Sequence, residues 1–319
     1  MRSILNVNGL EHAFLREFGC NCKRCSKPRK VANTSISLVA FDEDEDYPIF
    51  HILFDVGMHV VDSLCDIPYF KDPEHVRLDW LVFTHWHPDH VLGINRLCET
   101  WKRYLDRNNK PWEPIKTWCR SGTAKWLQIN HPYEWNKFLK PYISNEFKSS
   151  LGSLLNPINI EFSDVEIVPV TVSHYSADIK PRNPKEYLPC SASFIIKRKN
   201  KKAVLLWDID NRNDWIVNPE GEQKEAVDLM SNADYLFIEC NTWQVEGVGH
   251  TTFLKAKEYI KALRPKQTFL VHLSGHEDRP GPGYDWDDKT WGNEAERVLR
   301  GERAYIPVRV PEIGDKYVI

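Results

Sequence analysis

Short apolar runs, each followed by a histidine or an aspartate, recur along the chain. Runs of this length that are rich in β-branched and aromatic residues predict buried strands. Four of them precede an imidazole or a carboxylate: 78–83 before His85, 165–173 before His174, 203–207 before Asp208 and 268–271 before His272. We therefore expect a β-rich protein that carries its metal-ligating side chains where strands end.

The same pattern predicts further strands and three helices. Residues 34–40 and 49–54 read as paired strands, and 115–119 as another. A helix behind the first histidine cluster is predicted by apolar residues at helical spacing, which are Ile94, Leu97, Cys98, Trp101, Tyr104 and Leu105. A second helix follows Ser121, which we expect to cap it, and a third spans 252–263. Strands interleaved with helices indicate an α/β fold.

Residues 84–90 read Thr-His-Trp-His-Pro-Asp-His at the end of a predicted strand. In an extended segment His85 and His87 face the same side, and the proline between the histidines lets Asp89 and His90 turn toward a second position. Imidazole nitrogens and carboxylate oxygens suit zinc, manganese or iron(II) rather than calcium. Because burying so many titratable groups without a cation is costly, the segment predicts a metal site.

This HxHxDH spacing resembles that of the metallo-β-lactamase-fold superfamily, and the resemblance covers nearly the whole chain. It implies an αββα four-layer sandwich. It also implies one ion held by His85, His87 and His174, a second held by Asp89, His90 and His272, and a bridging Asp208. Asp210 faces the same side as Asp208 in an extended segment and stays an alternative to it. Asp55, in an upstream Asp-x-Gly, is expected to support the site from the second shell.

Cys20, Cys22 and Cys25 place three thiols within six residues. Cysteines separated by one residue rarely form a disulfide with each other. In a chain without a secretory signal this density predicts a structural zinc site, which needs a fourth ligand. An N-terminal CxCxxC beside this core resembles the PhnP cyclic phosphodiesterase branch of the superfamily, whose fourth ligand is a histidine shortly after the last active-site histidine. That position is His276 here, and the alternatives are His12 or a site with three ligands only.

Charge and hydropathy narrow the class of protein. The net charge is −3 with acidic and basic residues nearly balanced, which does not favour nucleic-acid binding. Since no stretch approaches a membrane-spanning apolar run and no signal-peptide core is present, we expect a cytoplasmic protein without a membrane partner. The ligands are spread along the sequence and must converge, so we expect one domain over 1–319, with insertions near 130–157 and 180–189.

A dinuclear site of this kind can activate water and clamp a phosphodiester between two ions about 3.5–4 Å apart. The leaving alkoxide then needs an acid. His250, at the start of the predicted third helix, resembles the catalytic histidine of the PhnP branch. A helix N-terminus would depress the pKa of that imidazole, and plain helix capping is the alternative role. We therefore expect His250, together with the ligand Asp89, to take part in catalysis.

The sequence favours a dinuclear metal-dependent phosphodiesterase that acts on a small or cyclic phosphodiester by attack of a metal-bridged hydroxide. Its cofactors would be two divalent ions, zinc or manganese, and one structural zinc. Its partner would be a small phosphodiester, and a homodimer is left open. The alternatives are another hydrolase on the same site (a lactonase, a thioesterase or a tRNA 3′-processing nuclease) or a non-hydrolytic biosynthetic protein of PqqB type. A complete ligand set argues against the last.

Overall fold

A computed structural model of the protein describes residues 2–26, 29–42, 47–144, 146, 150–162, 164–175, 177–178, 188–247 and 249–319. Two β-sheets lie face to face, and helices pack on their outer faces. The predicted αββα class is therefore confirmed. Of the expected insertion at 180–189, residues 180–187 lie outside the described residues.

The first sheet has seven strands: β1 (Arg2–Gly9), β2 (Ser35–Phe41), β3 (Pro48–Phe54), β4 (Trp80–Val82), β5 (Ile115–Arg120), β6 (Leu139–Ser144) and β13 (Lys316–Val318). Their order is β13-β1-β2-β3-β4-β5-β6. The strands from β3 to β6 are parallel, whereas β1, β2 and β3 pair antiparallel. Strand β6 belongs to the segment 130–157, so part of this expected insertion extends the sheet at its edge.

The second sheet has six strands: β7 (Glu166–Thr171), β8 (Ala192–Arg198), β9 (Lys201–Leu206), β10 (Tyr235–Glu239), β11 (Thr268–Val271) and β12 (Val308–Arg309). Their order is β12-β11-β10-β9-β8-β7. Strands β9, β10 and β11 are parallel neighbours. Because parallel strands point their C-terminal ends toward one edge of a sheet, the residues that follow these strands come close together.

The helices are α1 (Lys23–Ser26), α2 (Val60–Asp66), α3 (Pro68–Lys71), α4 (Pro88–Val91), α5 (Ile94–Arg107), α6 (Ser121–Asn130), α7 (Pro132–Lys137), α8 (Gln223–Met230), α9 (Phe253–Leu263) and α10 (Asp288–Gly301), with a 3-10 turn at Asp214–Ile216. The predicted cap of α6 is wrong: Ser121 is its first helical residue, and no side chain caps that end. Among the described residues, no helix combines the length and the apolar character that crossing a membrane requires.

Strand β3 shows why the sequence pattern is apolar rather than alternating. Ile52 and Phe54 belong to the core between the two sheets, while Leu53 packs into the core under the helices. A strand that is buried on both faces reads as a continuous apolar run. The short runs seen in the sequence are therefore central strands, and they bring their polar ends to one edge of the sandwich.

Candidate metal centre

The predicted metal ligands gather at the edge where the parallel strands of both sheets end. Strand β4 leads into the 84–90 segment, and strands β7, β9 and β11 lead to the other three ligands. The predicted ligand atoms form two groups, each within 4.8 Å: His85, His87, His174 and Asp208 in one, and Asp89, His90, Asp208 and His272 in the other. Asp208 belongs to both groups, and ligand atoms of Asp208 and His272 also lie within 4.8 Å of those of Glu239 and His250.

In the first group the histidine nitrogens lie close to one another and to the two oxygens of the shared carboxylate. Nδ1 of His87 lies 2.8 Å from Nε2 of His174. Nε2 of His174 lies 3.3 Å from Oδ1 of Asp208, and Nε2 of His85 lies 3.1 Å from Oδ2. Three imidazoles and a carboxylate thus surround one small volume.

The second group lies on the other side of Asp208. Nε2 of His90 is 2.6 Å from Oδ2 of Asp208 and 3.3 Å from Oδ2 of Asp89. Nε2 of His272 is 3.1 Å from the same Asp89 oxygen. A carboxylate shared between two such groups has the arrangement of a bridging ligand.

The donor atoms of the centre fit divalent cations. Both carboxylate oxygens of Asp208 and the Nε2 atoms of His85 and His90 are buried and have no hydrogen-bond partner among the described residues. Buried polar atoms are otherwise almost always paired. Nitrogen and carboxylate donors that converge without hydrogen-bond geometry are the ligand set that zinc and manganese prefer.

Asp55 supports the centre from behind. It accepts hydrogen bonds from the backbone N of Thr84 at 2.8 Å and from its Oγ1 at 2.7 Å. It also accepts from Nδ1 of His90 at 2.8 Å and from Nε1 of Trp207 at 3.0 Å. Because Nδ1 of His90 is the donor, its Nε2 presents a lone pair toward the centre. Asp55 thereby orients one ligand directly and fixes the strand ends that carry two others.

Gly57 of the Asp-x-Gly segment is required by a close backbone approach. A Cβ at this position would lie 1.8 Å from the carbonyl oxygen of Asp89 and 2.5 Å from Cβ of Asn33. A glycine therefore lets the turn that carries Asp89 pack directly on the end of β3.

Three residues of the centre have left-handed backbone conformations. The φ angles are 58° for Asp55, 53° for Asp208 and 60° for His272. Such angles are uncommon outside glycine and cost energy, and they cluster at functional sites. Each one turns the chain at the end of its strand and directs the side chain into the centre.

Asp210, the alternative bridging residue, lies outside both groups. Its carboxylate accepts from Oγ of Ser173 at 2.9 Å and from the backbone N of Arg212 at 2.9 Å, and it pairs with the Arg212 guanidinium. The left-handed turn at Asp208 separates the two carboxylates, so they do not share a face as an extended segment would require.

His250 lies beside the centre and is held by a residue that the sequence patterns did not single out. Nδ1 of His250 is 2.7 Å from Oε1 of Glu239 and 3.4 Å from Oδ1 of Asp208. Glu239 is fully buried at the end of β10, and it also accepts from the backbone N of Ile209. An apolar run that ends in an acidic residue, Leu-Phe-Ile-Glu, was the available signal. The cap of α9 is Thr252, which accepts from the N of Lys255, so His250 is not a helix cap.

Burial and charge oppose each other in the centre. Burial raises the pKa of Asp208, but the imidazoles, first those of His174 and His272, hold it well below its usual range. Burial lowers the pKa of His250, yet the carboxylates of Glu239 and Asp208 outweigh burial and keep it well above the ordinary value. The expected depression by the helix N-terminus is therefore wrong, because a direct carboxylate contact is stronger than a helix dipole.

The cysteine cluster forms a second, separate group. The thiols of Cys20, Cys22 and Cys25 and an imidazole nitrogen of His276 lie within 4.8 Å of one another. Nε2 of His276 is 3.4 Å from Sγ of Cys22 and 3.2 Å from Sγ of Cys25, while its Nδ1 contacts Glu17 at 3.0 Å. Three thiols and one imidazole have the composition of a closed structural zinc site. His12, the alternative ligand, is not in this group.

A buried ion-pair network joins the cysteine loop to the edge of the sandwich that carries the predicted metal ligands. The Arg24 guanidinium lies 2.7 Å from Oε2 of Glu11, and Arg29 pairs with the other oxygen of Glu11. The backbone of Glu11 also pairs with that of Leu273, the residue after His272, in an isolated β-bridge. Burial raises the pKa of Glu11, but the two guanidinium groups outweigh burial and lower it. Glu11 therefore contacts both the cysteine loop, through Arg24, and the residue that follows His272.

Residues 51–273 match the family model of the beta-lactamase superfamily domain. The metallo-beta-lactamase fold protein YhfI from Bacillus subtilis has a similar structure, with a TM-score of 0.64 at 17% identity over 100% of both chains. A diphosphatase of the PhnP family gives a TM-score of 0.60 at 15% identity, over 100% of this chain and 98% of that one. Zn²⁺-bound PqqB from Methylobacterium extorquens gives 0.63 at 12% identity, over 98% and 99%. No curated protein sequence matches.

The family match covers more than half of the chain, and the structural likenesses extend over nearly all of it. At these identities the likenesses establish the fold alone. The chain therefore belongs to the beta-lactamase superfamily and has the metallo-β-lactamase fold. Proteins of this family are generally metal-dependent hydrolases.

Proposed function

We propose that the protein is a dinuclear metal-dependent phosphodiesterase that cleaves a small or cyclic phosphodiester. The observation that carries this proposal is the position of His250, whose ring is fixed by Glu239 at 2.7 Å beside the shared carboxylate. Many hydrolases use a metal centre alone. A proton donor beside the centre is needed where the leaving group is poor, such as an alkoxide, because it can protonate that group as it departs.

Seven ligands would hold the two ions, zinc or manganese: His85, His87, His174 and Asp208 on one side, and Asp89, His90, His272 and the same Asp208 on the other. When bound, such ions supply Lewis-acid activation of water and neutralise charge on the phosphoryl group. Asp208, which belongs to both ligand groups, would hold them at a fixed separation. Asp55 accepts the hydrogen bond from Nδ1 of His90 and so keeps the tautomer in which Nε2 can bind a metal ion. A third ion, zinc, would be bound by Cys20, Cys22, Cys25 and His276 and would have a structural role.

His250 would act on the leaving group. Glu239 takes the Nδ1–H of the ring, so Nε2 is the atom that can donate a proton to the departing alkoxide. The side chain is 28% exposed, so part of the imidazole is accessible to a substrate. Glu239 orients the imidazole and stabilises its protonated form, as a carboxylate does for a catalytic histidine in general.

The likeness to a PhnP-family diphosphatase supports a phosphoryl substrate at this fold. The likeness to PqqB keeps a non-hydrolytic scaffold as the competing interpretation. The two interpretations differ in metal content, because a hydrolase with this donor set binds three ions per chain, whereas a scaffold needs only the structural one.

The test is a parallel assay of the purified protein loaded with manganese or zinc. The substrates are bis(p-nitrophenyl) phosphate, a 2′,3′-cyclic nucleotide, a lactone, a thioester and a β-lactam, and metal content is measured on the same samples. We expect turnover of the two phosphodiesters and three ions per chain. Turnover of a carbon ester in preference to both phosphodiesters, or a single ion per chain without turnover, would contradict the proposal.

A further inference from the structure

His12 lies between the two predicted metal sites and takes part in neither. Its ring centroid is 6.2 Å from that of His272 and 6.2 Å from that of His276, with edge-to-face geometry in both pairs. The side chain is buried, with 4% of the residue exposed. Because His272 is a predicted ligand of the metal centre, the ring contact with it places His12 on the His272 side of the centre.

The hydrogen bonding of the ring identifies a donor without a partner. The backbone N–H of Phe14 donates to Nδ1 of His12 at 3.2 Å, so Nδ1 is an acceptor and the ring proton is on Nε2. Nε2 is buried and has no hydrogen-bond partner among the described residues. A buried N–H group without a partner is rare in folded proteins, so this donor calls for a functional explanation.

The ring is held rigidly in this orientation. The backbone carbonyl of His12 accepts from Nδ2 of Asn33 at 2.8 Å, and Oδ1 of Asn33 accepts from the backbone N of Met58 at 2.7 Å. Phe14 packs edge-on against the imidazole, with ring centroids 5.6 Å apart. Because the backbone and the ring are both fixed, the donor is preorganised and need not lose further freedom when an acceptor binds.

We propose that Nε2–H of His12 binds a non-bridging phosphoryl oxygen of the substrate on the His272 side of the centre. The donor is neutral and directional and suits an anionic oxygen, which the cations held by the predicted ligands would also attract. This inference rests on the proposed phosphodiesterase function. It assigns His12 to substrate binding, and protonation of the leaving group remains the proposed role of His250.

Two substitutions separate the donor from the packing of the ring. In His12→Asn the amide oxygen can replace Nδ1 as the acceptor for the Phe14 N–H, but the side chain is too short to place a donor at the Nε2 position. In His12→Gln the longer side chain carries an amide N–H into the region of Nε2. The asparagine variant therefore removes the donor, and the glutamine variant restores one.

Binding of inorganic phosphate to the manganese-loaded protein is measured by isothermal titration calorimetry, beside KM and kcat on a 2′,3′-cyclic nucleotide. For His12→Asn we expect the phosphate Kd and the KM to rise about 10- to 100-fold, the worth of a hydrogen bond to a charged group. The kcat should change much less, and His12→Gln should recover most of the loss. Three ions per chain should remain in both variants, which is checked by elemental analysis.

The outcomes separate this inference from the proposed function. If wild-type protein cleaves phosphodiesters but His12→Asn binds phosphate as tightly as wild type, the inference fails and the function stands. If wild-type protein cleaves none but binds phosphate through His12, the function fails and the anion site stands. Absence of phosphate binding to wild-type protein, or loss of the structural zinc in His12→Asn, would overturn the inference and make His12 a structural residue.

Discussion

Removal of the proton donor gives the sharpest test of the catalytic site. Nδ1 of His250 is held 2.7 Å from Glu239, and the ring stands 3.4 Å from the shared carboxylate of Asp208. If its Nε2 protonates the leaving group, His250→Ala removes a general acid, which is worth roughly 10²–10⁴ in rate. This loss corresponds to about 3–5 kcal/mol of transition-state stabilisation.

The assay compares two substrates that differ in their leaving groups. A 2′,3′-cyclic nucleotide expels a ribose alkoxide, which leaves poorly without a proton, so the full loss should appear in kcat/KM. Bis(p-nitrophenyl) phosphate expels p-nitrophenolate, which needs little assistance, so the loss should stay within roughly tenfold. Metal content should be unchanged, because His250 is not among the seven predicted ligands.

A matched variant guards against an indirect effect on Glu239. His250→Ala leaves the buried Glu239 carboxylate without its imidazole partner, and an unpaired buried charge is costly by itself. His250→Asn keeps an N–H donor for Glu239 but cannot donate a proton to a leaving group. Both variants should therefore show the same dependence on the leaving group. Equal losses on the two substrates would refute the general-acid role and leave His250 as a phosphate-binding or positional residue.

Three further predictions follow from the structure. Asp208→Ala should abolish turnover and release both catalytic ions, while the structural zinc stays bound. Elemental analysis should find all three ions in the control Asp210→Ala, and retention of both catalytic ions by Asp208→Ala would rule out a bridging role. Cys22→Ser should lose one zinc and lower the melting temperature, since the metal contributes folding energy; a lower kcat at unchanged melting temperature would indicate a reactive thiol instead. Gly57→Ala puts a Cβ 1.8 Å from a backbone oxygen and should lower the free energy of unfolding, measured in urea, by about 1–3 kcal/mol or more. Gly301→Ala, with no atom within 4 Å of the added Cβ, should leave that free energy nearly unchanged, and equal stability of the two variants would contradict the close approach.

The strands that lead to most of the metal ligands were readable from the sequence. The predicted runs 203–207 and 268–271 correspond to β9 (Lys201–Leu206) and β11 (Thr268–Val271). The predicted helix at 252–263 corresponds to α9 (Phe253–Leu263), whose buried residues recur at helical spacing. The two strands are buried and apolar and the helix is amphipathic, and a local window of sequence is enough to detect either pattern.

Local patterns failed where the answer depended on neighbours in space. Strand β10 was not predicted, and with it Glu239 was missed, although the apolar run that ends at Glu239 has the same pattern as the run that ends at Asp208. The pKa of His250 was expected to be lowered by the nearby helix, but the carboxylates of Glu239 and Asp208 raise it. The predicted capping role of Ser121 was wrong for a related reason: Thr123 donates to the carbonyl of Cys190, and the start of α6 is fixed by tertiary contacts of this kind.

The sequence by itself determined the type of fold and the order of the candidate ligands. Apolar runs show which segments are buried strands, and the residue that follows each run therefore lies at the end of a strand. Only the tertiary structure decided which carboxylate is shared and which histidine stands beside the cysteines. It placed Asp208 at a left-handed turn with φ 53°, joined Asp55 to Trp207 across 152 positions, and set an unpaired His12 donor beside His272. The physical reason is that ligand geometry and electrostatic coupling depend on distances of a few ångströms in space, and these distances arise only when remote parts of the chain pack together.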